Sequence, residues 1–200
     1  MLIVTEDLRA ADAAAVRAGV AVVERVSVAD LGLATPCAGW DLGDLLGHMT
    51  AQHRGFAAAA RGHGDDPGAW VEERAGADAV REYVLAAGEV LETFAGEGEA
   101  VLERTFHLPE AGGALPARLA IGMHLVDYAV HGWDVARTIG AAYRLDDDVL
   151  AATLEIVRAV PDGPGRLAPG SPFGPGRAVP AGAGPLDEIL LRLGRDPAGS

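Results

Sequence analysis

One stretch, residues 115–140, most limits what this chain can fold into. Its sequence is LPARLAIGMHLVDYAVHGWDVARTIG, which predicts a single helix from about residue 116 to about residue 139. Proline suits the first turn of a helix, where no backbone donor is needed, and glycine suits the left-handed conformation at its end. Apolar residues cover more than one face of this helix, so we expect most of it to be buried.

Four ionisable side chains lie along one stripe of this helix. They are His124, Asp127, His131 and Asp134. Their spacings of three, four and three residues place them on one face. A carboxylate and an imidazole one turn apart can bind one metal ion, and a hydrogen-bonded His–Asp pair inside a bundle fits the same pattern. Asp134 is predicted either to accept a hydrogen bond beside the site or to form a salt bridge with Arg137.

A third ligand is expected from another element. A second helix is predicted over residues 42–61, and His48 lies beside its apolar face, where it is either a ligand or a hydrogen-bonded core residue. His53 is predicted to lie on the surface. His124 is a less suitable third ligand, because three donors on one helix would spread over roughly 10 Å, whereas zinc holds its donors at about 2.0–2.2 Å.

The rest of the pattern predicts an all-α protein. Further helices are predicted over residues 6–27, 78–95, 146–159 and 186–194. The short run VLERTFHL at 101–108 is expected to be a strand or an extended loop. A Pro/Gly-rich loop spans 161–185, and the apolar helix after it is expected to dock onto the rest of the protein. These elements favour a four-helix bundle with extra short helices.

Composition narrows the class of partner. A length of 200 residues fits a single domain over residues 1–200, and a hydrophobic content of one half is enough for its core. We expect a monomer or a homodimer. A formal net charge of −13 argues against nucleic acid or an anionic membrane as a partner. Cys37 is the one cysteine, and with no signal-peptide pattern we expect a cytoplasmic protein. No stretch is long and apolar enough to span a bilayer.

Three segments carry motifs that occur together in one family. They are TPCAGWDLGDLLGHM at 35–49, DYAVHGWDVARTIG at 127–140 and PLDEILLRLGRDP at 185–197. The chain thereby resembles the mycothiol-dependent maleylpyruvate isomerase family of the DinB-like superfamily. This resemblance implies a DinB-like four-helix bundle that binds a divalent metal, usually zinc, through two histidines and one carboxylate. The matching positions are His48, Asp127 and His131.

The resemblance also implies a function. We expect a metal-dependent isomerase or S-transferase that uses a low-molecular-weight thiol, mycothiol by resemblance, on a small electrophilic substrate. Nickel, manganese and iron are alternatives to zinc. The other hypothesis is a non-catalytic metal-binding or sensing protein that keeps the bundle and a degenerate site.

Two differences from the isomerase itself limit what is carried over. Asp127 stands where the isomerase has glutamate, which shortens the side chain by one methylene group. The isomerase also has a further C-terminal domain, which is not expected within 200 residues, so we expect a substrate other than maleylpyruvate. Cys37 lies just before a helix and is expected to be a packed residue rather than a nucleophile.

Overall fold

The computed structural model describes residues 4, 6–96, 98–168, 171 and 173–199. Within these residues the chain forms six α-helices and one antiparallel hairpin. The helices are α1 (Arg9–Val23), α2 (Leu42–Ala60), α3 (Ala79–Gly96), α4 (Ala117–Thr138), α5 (Asp147–Ala159) and α6 (Pro185–Arg192), and the strands are β1 (Thr105–Leu108) and β2 (Gly113–Pro116). The predicted all-α class is confirmed. Residues 169, 170 and 172 of the predicted loop lie outside the described residues.

The four long helices form the predicted bundle. Helix α1 packs along α4, α2 packs along α3, and α2 also contacts α4. One cluster of buried apolar side chains, which includes Phe56 and Ile121, extends beneath the hairpin, α5 and α6. A second cluster, which includes Leu45 and Met49, lies towards the connection between α1 and α2. The four-helix bundle is therefore confirmed.

The ends of the first two helices follow from local hydrogen bonds. Helix α2 begins with a reciprocal cap: the Asp44 amide donates to Asp41 Oδ1 at 2.9 Å, and the Asp41 amide donates to Asp44 Oδ2 at 3.1 Å. Helix α1 is shorter than predicted. After it, the Ser27 amide donates to Asp30 Oδ2 at 2.8 Å, and this local bond favours a separate 3₁₀ turn over continued helix.

The hairpin was predicted in part. Strand β1 lies within the run expected to be strand or extended loop, and Phe106 is paired with Leu115 of β2. The second strand was missed because its last residues were assigned to the start of the long helix. Gly112 ends the turn and Gly113 begins β2, with φ values of 80° and 138° that only glycine adopts readily. Helix α4 itself matches the predicted span to within about one residue at each end.

The C-terminal segment docks onto the bundle as predicted. Ile189, Leu190 and Leu193 are fully buried, and α6 packs against α5. Arg166, from the Pro/Gly-rich segment, donates to the carbonyl oxygens of Gly174 at 3.2 Å and Arg192 at 2.5 Å. This segment thus satisfies a carbonyl at the end of α6 that the helix leaves without a partner. No helix in the described ranges has the length and apolar character needed to cross a membrane.

Candidate metal centre

Helices α2 and α4 bring the three predicted ligands together. One ligand atom each from His48, Asp127 and His131 lies within 4.8 Å of the others. The distance from His131 Nε2 to Asp127 Oδ1 is 3.3 Å, and the rings of His48 and His131 meet edge to face with centroids 5.4 Å apart. Two donors on a tetrahedral ion at 2.0–2.2 Å lie roughly 3.4 Å from each other, so this donor set fits a divalent metal.

Each of the two histidines has a carboxylate on its Nδ1 side. His48 Nδ1 lies 2.6 Å from Glu72 Oε1, and His131 Nδ1 lies 2.9 Å from Asp134 Oδ2. An ionised carboxylate only accepts hydrogen bonds, so Nδ1 carries the proton in both rings and Nε2 is left to bind a metal. Carboxylates in this position are typical of metal-binding histidines, because they fix the orientation and tautomer of the ring.

The charges of the site stabilise one another. Burial lowers the pKa of His131, but the charge and hydrogen bond of Asp127 and the hydrogen bond of Asp134 outweigh it and hold that pKa well above its usual value. Burial raises the pKa of Asp127, and the charge of His131 reverses this and holds the pKa below its usual value. The hydrogen bond from His48 likewise lowers the pKa of Glu72. Without a metal, His131 therefore retains its second proton.

A glycine beside His48 explains how Glu72 reaches the site. A Cβ atom on Gly47 would lie 2.1 Å from the carbonyl oxygen of Glu73, a distance that no real side chain permits. Glycine at this position lets the irregular segment 71–77 pass directly over α2. The Glu72 side chain is thereby placed on His48, while Ala75 donates its backbone amide to Gly43 at 2.9 Å.

A second glycine follows His131. A Cβ atom on Gly132 would lie 2.5 Å from the Tyr143 hydroxyl, so this glycine allows Tyr143 to pack against α4. The Tyr143 hydroxyl donates to the carbonyl oxygen of Tyr128 at 3.4 Å. The His-Gly pair at 131–132 thus combines a candidate ligand with a close approach of the chain that follows α4.

Asp134 is the hydrogen-bond acceptor beside the site, which is one of its two predicted roles. Its side chain is fully buried, and its Oδ2 also accepts from Arg195 Nη2 at 3.0 Å and from Cys37 Sγ at 3.3 Å. Its salt-bridge partner is Arg195 rather than the predicted Arg137. Burial raises the pKa of Asp134, but the His131 hydrogen bond and the Arg195 charge hold it below its usual value.

Cys37, His131 and Asp134 form a second group of donors within 4.8 Å of one another. The Arg195 guanidinium already lies in this group, with Nη2 3.6 Å from Cys37 Sγ. A cation here opposes a second metal ion, so the first group is the candidate metal centre. The role of Arg195 was missed in the sequence, although its motif was part of the resemblance, because its partner lies 61 residues away.

His124 is not part of the donor group of the metal centre. Its Nδ1 lies 2.6 Å from Asp12 Oδ1, its Nε2 lies 3.2 Å from His53 Nδ1, and all three side chains are fully buried. The prediction of His53 as a surface residue is therefore wrong. Its ring stacks on Tyr128 with centroids 3.8 Å apart, and burial holds its pKa well below the usual value, so it is neutral.

The comparison with protein families agrees with this geometry. Residues 13–136 match the family model described as the mycothiol maleylpyruvate isomerase N-terminal domain. The chain belongs to this family. The matched residues contain all three candidate ligands, whereas Arg195 lies beyond them.

Relatives and solved structures extend the comparison. An uncharacterised protein of Mycobacterium tuberculosis, matched in two strains, is 31% identical over 180 residues, which cover 88% of this chain and 90% of the relative. A crystal structure of a histidine-to-alanine variant of the mycothiol-dependent maleylpyruvate isomerase matches with a TM-score of 0.59 at 13% identity. A second structure of that isomerase has a TM-score of 0.54 at 14% identity. Both cover 74% of this chain and 67% of the isomerase chain, and they show a shared DinB-like fold.

Proposed function

We propose that this protein binds a divalent metal, with zinc the first candidate. We propose further that it is an isomerase or S-transferase that uses a mycothiol-type thiol on a small electrophilic substrate. The observation that supports this most directly is the convergence of His48, Asp127 and His131, with a carboxylate behind each histidine. Membership of the mycothiol maleylpyruvate isomerase family supports the choice of thiol. Residues 1–200 would act as a single domain.

The ligand residues define what the site offers a thiol. Two neutral imidazoles and one carboxylate leave a divalent ion with a net positive charge and an open position. Such an ion favours the thiolate form of a bound thiol, and the thiolate is the nucleophile. Glu72 and Asp134 hold the two imidazoles in position, and Trp40 lies against His48 with ring centroids 4.9 Å apart.

Cobalt substitution tests this proposal. A thiolate bound to Co²⁺ produces an intense charge-transfer band, so we expect such a band when mycothiol is added to the cobalt-loaded protein. His131→Ala is the matched control, because loss of one of three protein ligands should remove both the metal and the band. A set of small electrophiles should then be consumed only when metal and thiol are both present.

The outcomes separate the two hypotheses. A cobalt-loaded protein that shows no band with mycothiol or simpler thiols would favour the non-catalytic metal-binding protein. Full metal occupancy in both His48→Ala and His131→Ala would refute the ligand set itself.

A further inference from the structure

Arg195, which follows α6, lies at the edge of the metal centre. Its side chain is 8% exposed, and its Nη2 and Nε lie 3.0 Å and 3.5 Å from the two oxygens of Asp134. Its Nη1 donates to the carbonyl oxygen of Leu193 at 3.1 Å. Three nitrogens of this guanidinium are therefore engaged inside the protein.

The turn after α6 fixes this position. Gly194 has φ of 86°, its amide donates to Leu191 O at 3.1 Å, and the Arg195 amide donates to Leu190 O at 2.9 Å. This pair of bonds is the Schellman motif, in which a left-handed glycine ends a helix and turns the chain back. A Cβ atom on Gly194 would also lie 3.0 Å from the backbone of Gly174, so the turn is packed as well as hydrogen-bonded.

Asp134 connects this turn to the candidate ligand His131. Its Oδ2 accepts from His131 Nδ1 at 2.9 Å and from Arg195 Nη2 at 3.0 Å, and the carboxylate has no exposed surface. A buried carboxylate with neutral partners alone is strongly unfavourable, and a cation held by two contacts both compensates its charge and fixes its orientation. The orientation of Asp134 in turn sets the direction of the His131 ring.

We propose that Arg195 is a positioning residue of the metal centre, which acts through Asp134 to hold His131 in its metal-binding orientation. The C-terminal turn is then part of the site and not only part of the packing. This inference rests on the proposed metal centre. It gives a role to the third of the three motifs, the one that the ligand set leaves unexplained.

Metal affinity in a set of four variants tests the inference. Arg195→Met and Asp134→Asn should each weaken Zn²⁺ affinity about 10- to 100-fold in a competition with a chelator, as loss of outer contacts to metal-binding histidines does. The double variant, in which the charge pair is removed together, should be no weaker than either single variant by more than about threefold, because both changes break one connection. Arg195→Lys keeps the charge without the fork of two donors and should be intermediate.

Arg177 provides the matched control. It lies against the same turn, with Nε 3.3 Å from Gly194 O and Nη1 2.8 Å from Asp196 Oδ2, but it does not contact Asp134. Arg177→Met should leave zinc affinity unchanged. Equal loss of affinity in Arg177→Met and Arg195→Met, or multiplied losses in the double variant, would show that the turn acts only by docking and would overturn the inference.

A second measurement does not depend on metal. Proton NMR of the metal-free protein should show the His131 Nδ1 proton as a downfield resonance that exchanges slowly. The hydrogen bond to the buried Asp134 carboxylate both shifts the resonance downfield and protects the proton from exchange with water. Arg195→Met should broaden or remove this resonance, and Arg177→Met should retain it. If zinc binds the wild-type protein no better than His131→Ala, the proposed function fails, while this resonance still decides the role of Arg195. Its persistence in Arg195→Met would overturn the inference.

Discussion

At the scale of single residues, the protonation state of His131 matters most for metal binding. Two carboxylates, Asp127 and Asp134, lie on opposite sides of its ring, 3.3 Å and 2.9 Å from the two nitrogens. They raise the pKa of His131 although burial lowers it. A metal bound at Nε2 needs the lone pair that this proton occupies, so metal and proton compete for the same atom.

We predict that metal binding releases a proton and weakens in acid. The folded-state pKa of His131 is raised, so the ring is protonated below that pKa and free to bind a metal above it. Near pH 7, binding of each ion should release about one proton, and affinity should fall about tenfold for each unit of pH below the raised pKa. Calorimetry in buffers of different ionisation enthalpy measures the protons released, and a value near zero throughout pH 5–8 would contradict the prediction.

The residues that the sequence could not assign depend on distant partners. Spacing along α4 predicted Asp127 and His131 correctly as neighbours, because four residues is just over one helical turn. In contrast, His53 pairs with His124 of α4, and Asp134 pairs with Arg195 of the C-terminal turn, and no local pattern identifies these partners. The local sequence around a helical histidine is the same whether its ring contacts a buried partner or water.

At the scale of elements, the face of α2 that holds segment 71–77 is made of small residues. Gly43, Gly47 and Gly55 lie on this face, and a Cβ atom on Gly55 would lie 2.2 Å from the Trp70 ring. Glycine inside a helix costs roughly 0.5–1 kcal/mol relative to alanine, so three glycines in one helix need a structural reason. The close approach of segment 71–77, which carries Glu72, and of Trp70 just before it supplies that reason.

We predict that Gly47→Ala both destabilises the protein and disturbs the metal centre. The new methyl group must displace the backbone at Glu73, which should cost about 1–3 kcal/mol and move Glu72 away from His48. Metal affinity should fall about tenfold as that hydrogen bond is lost. Gly88→Ala on α3 is the control, because its Cβ atom meets nothing within 4 Å, and it should stabilise the protein by roughly 0.5–1 kcal/mol. Urea unfolding measures the stability of both variants. Equal losses of stability in the two would refute the close-packing explanation.

At the scale of the whole molecule, apolar periodicity predicted the helices and their bundle. Each long helix has an apolar face with a period near 3.6 residues, and that face requires a partner helix. The helical assignment was extended back over the last residues of β2, so this strand was missed. The path of the Pro/Gly-rich segment also depends on single contacts such as that of Arg166 with the end of α6. The C-terminal helix was predicted to dock because its leucines could not remain in water, and the same argument yields a quantitative test.

Leu190→Ala should measure how strongly the C-terminal segment is bound to the bundle. Leu190 is fully buried in the larger apolar cluster, so its truncation should cost about 2–5 kcal/mol, or roughly 2–4 °C in melting temperature for each kcal/mol in a chain of this size. Leu167→Ala removes the same atoms from a side chain that is 74% exposed, and it should change stability by less than about 0.5 kcal/mol.

Because α6 ends in the turn that holds Arg195 against Asp134, loosening α6 should also weaken zinc binding, whereas Leu167→Ala should not. A Leu190→Ala protein that melts like the wild type would mean that the bundle is stable without this segment, and that the contacts between the C-terminal turn and the metal centre add nothing to folding.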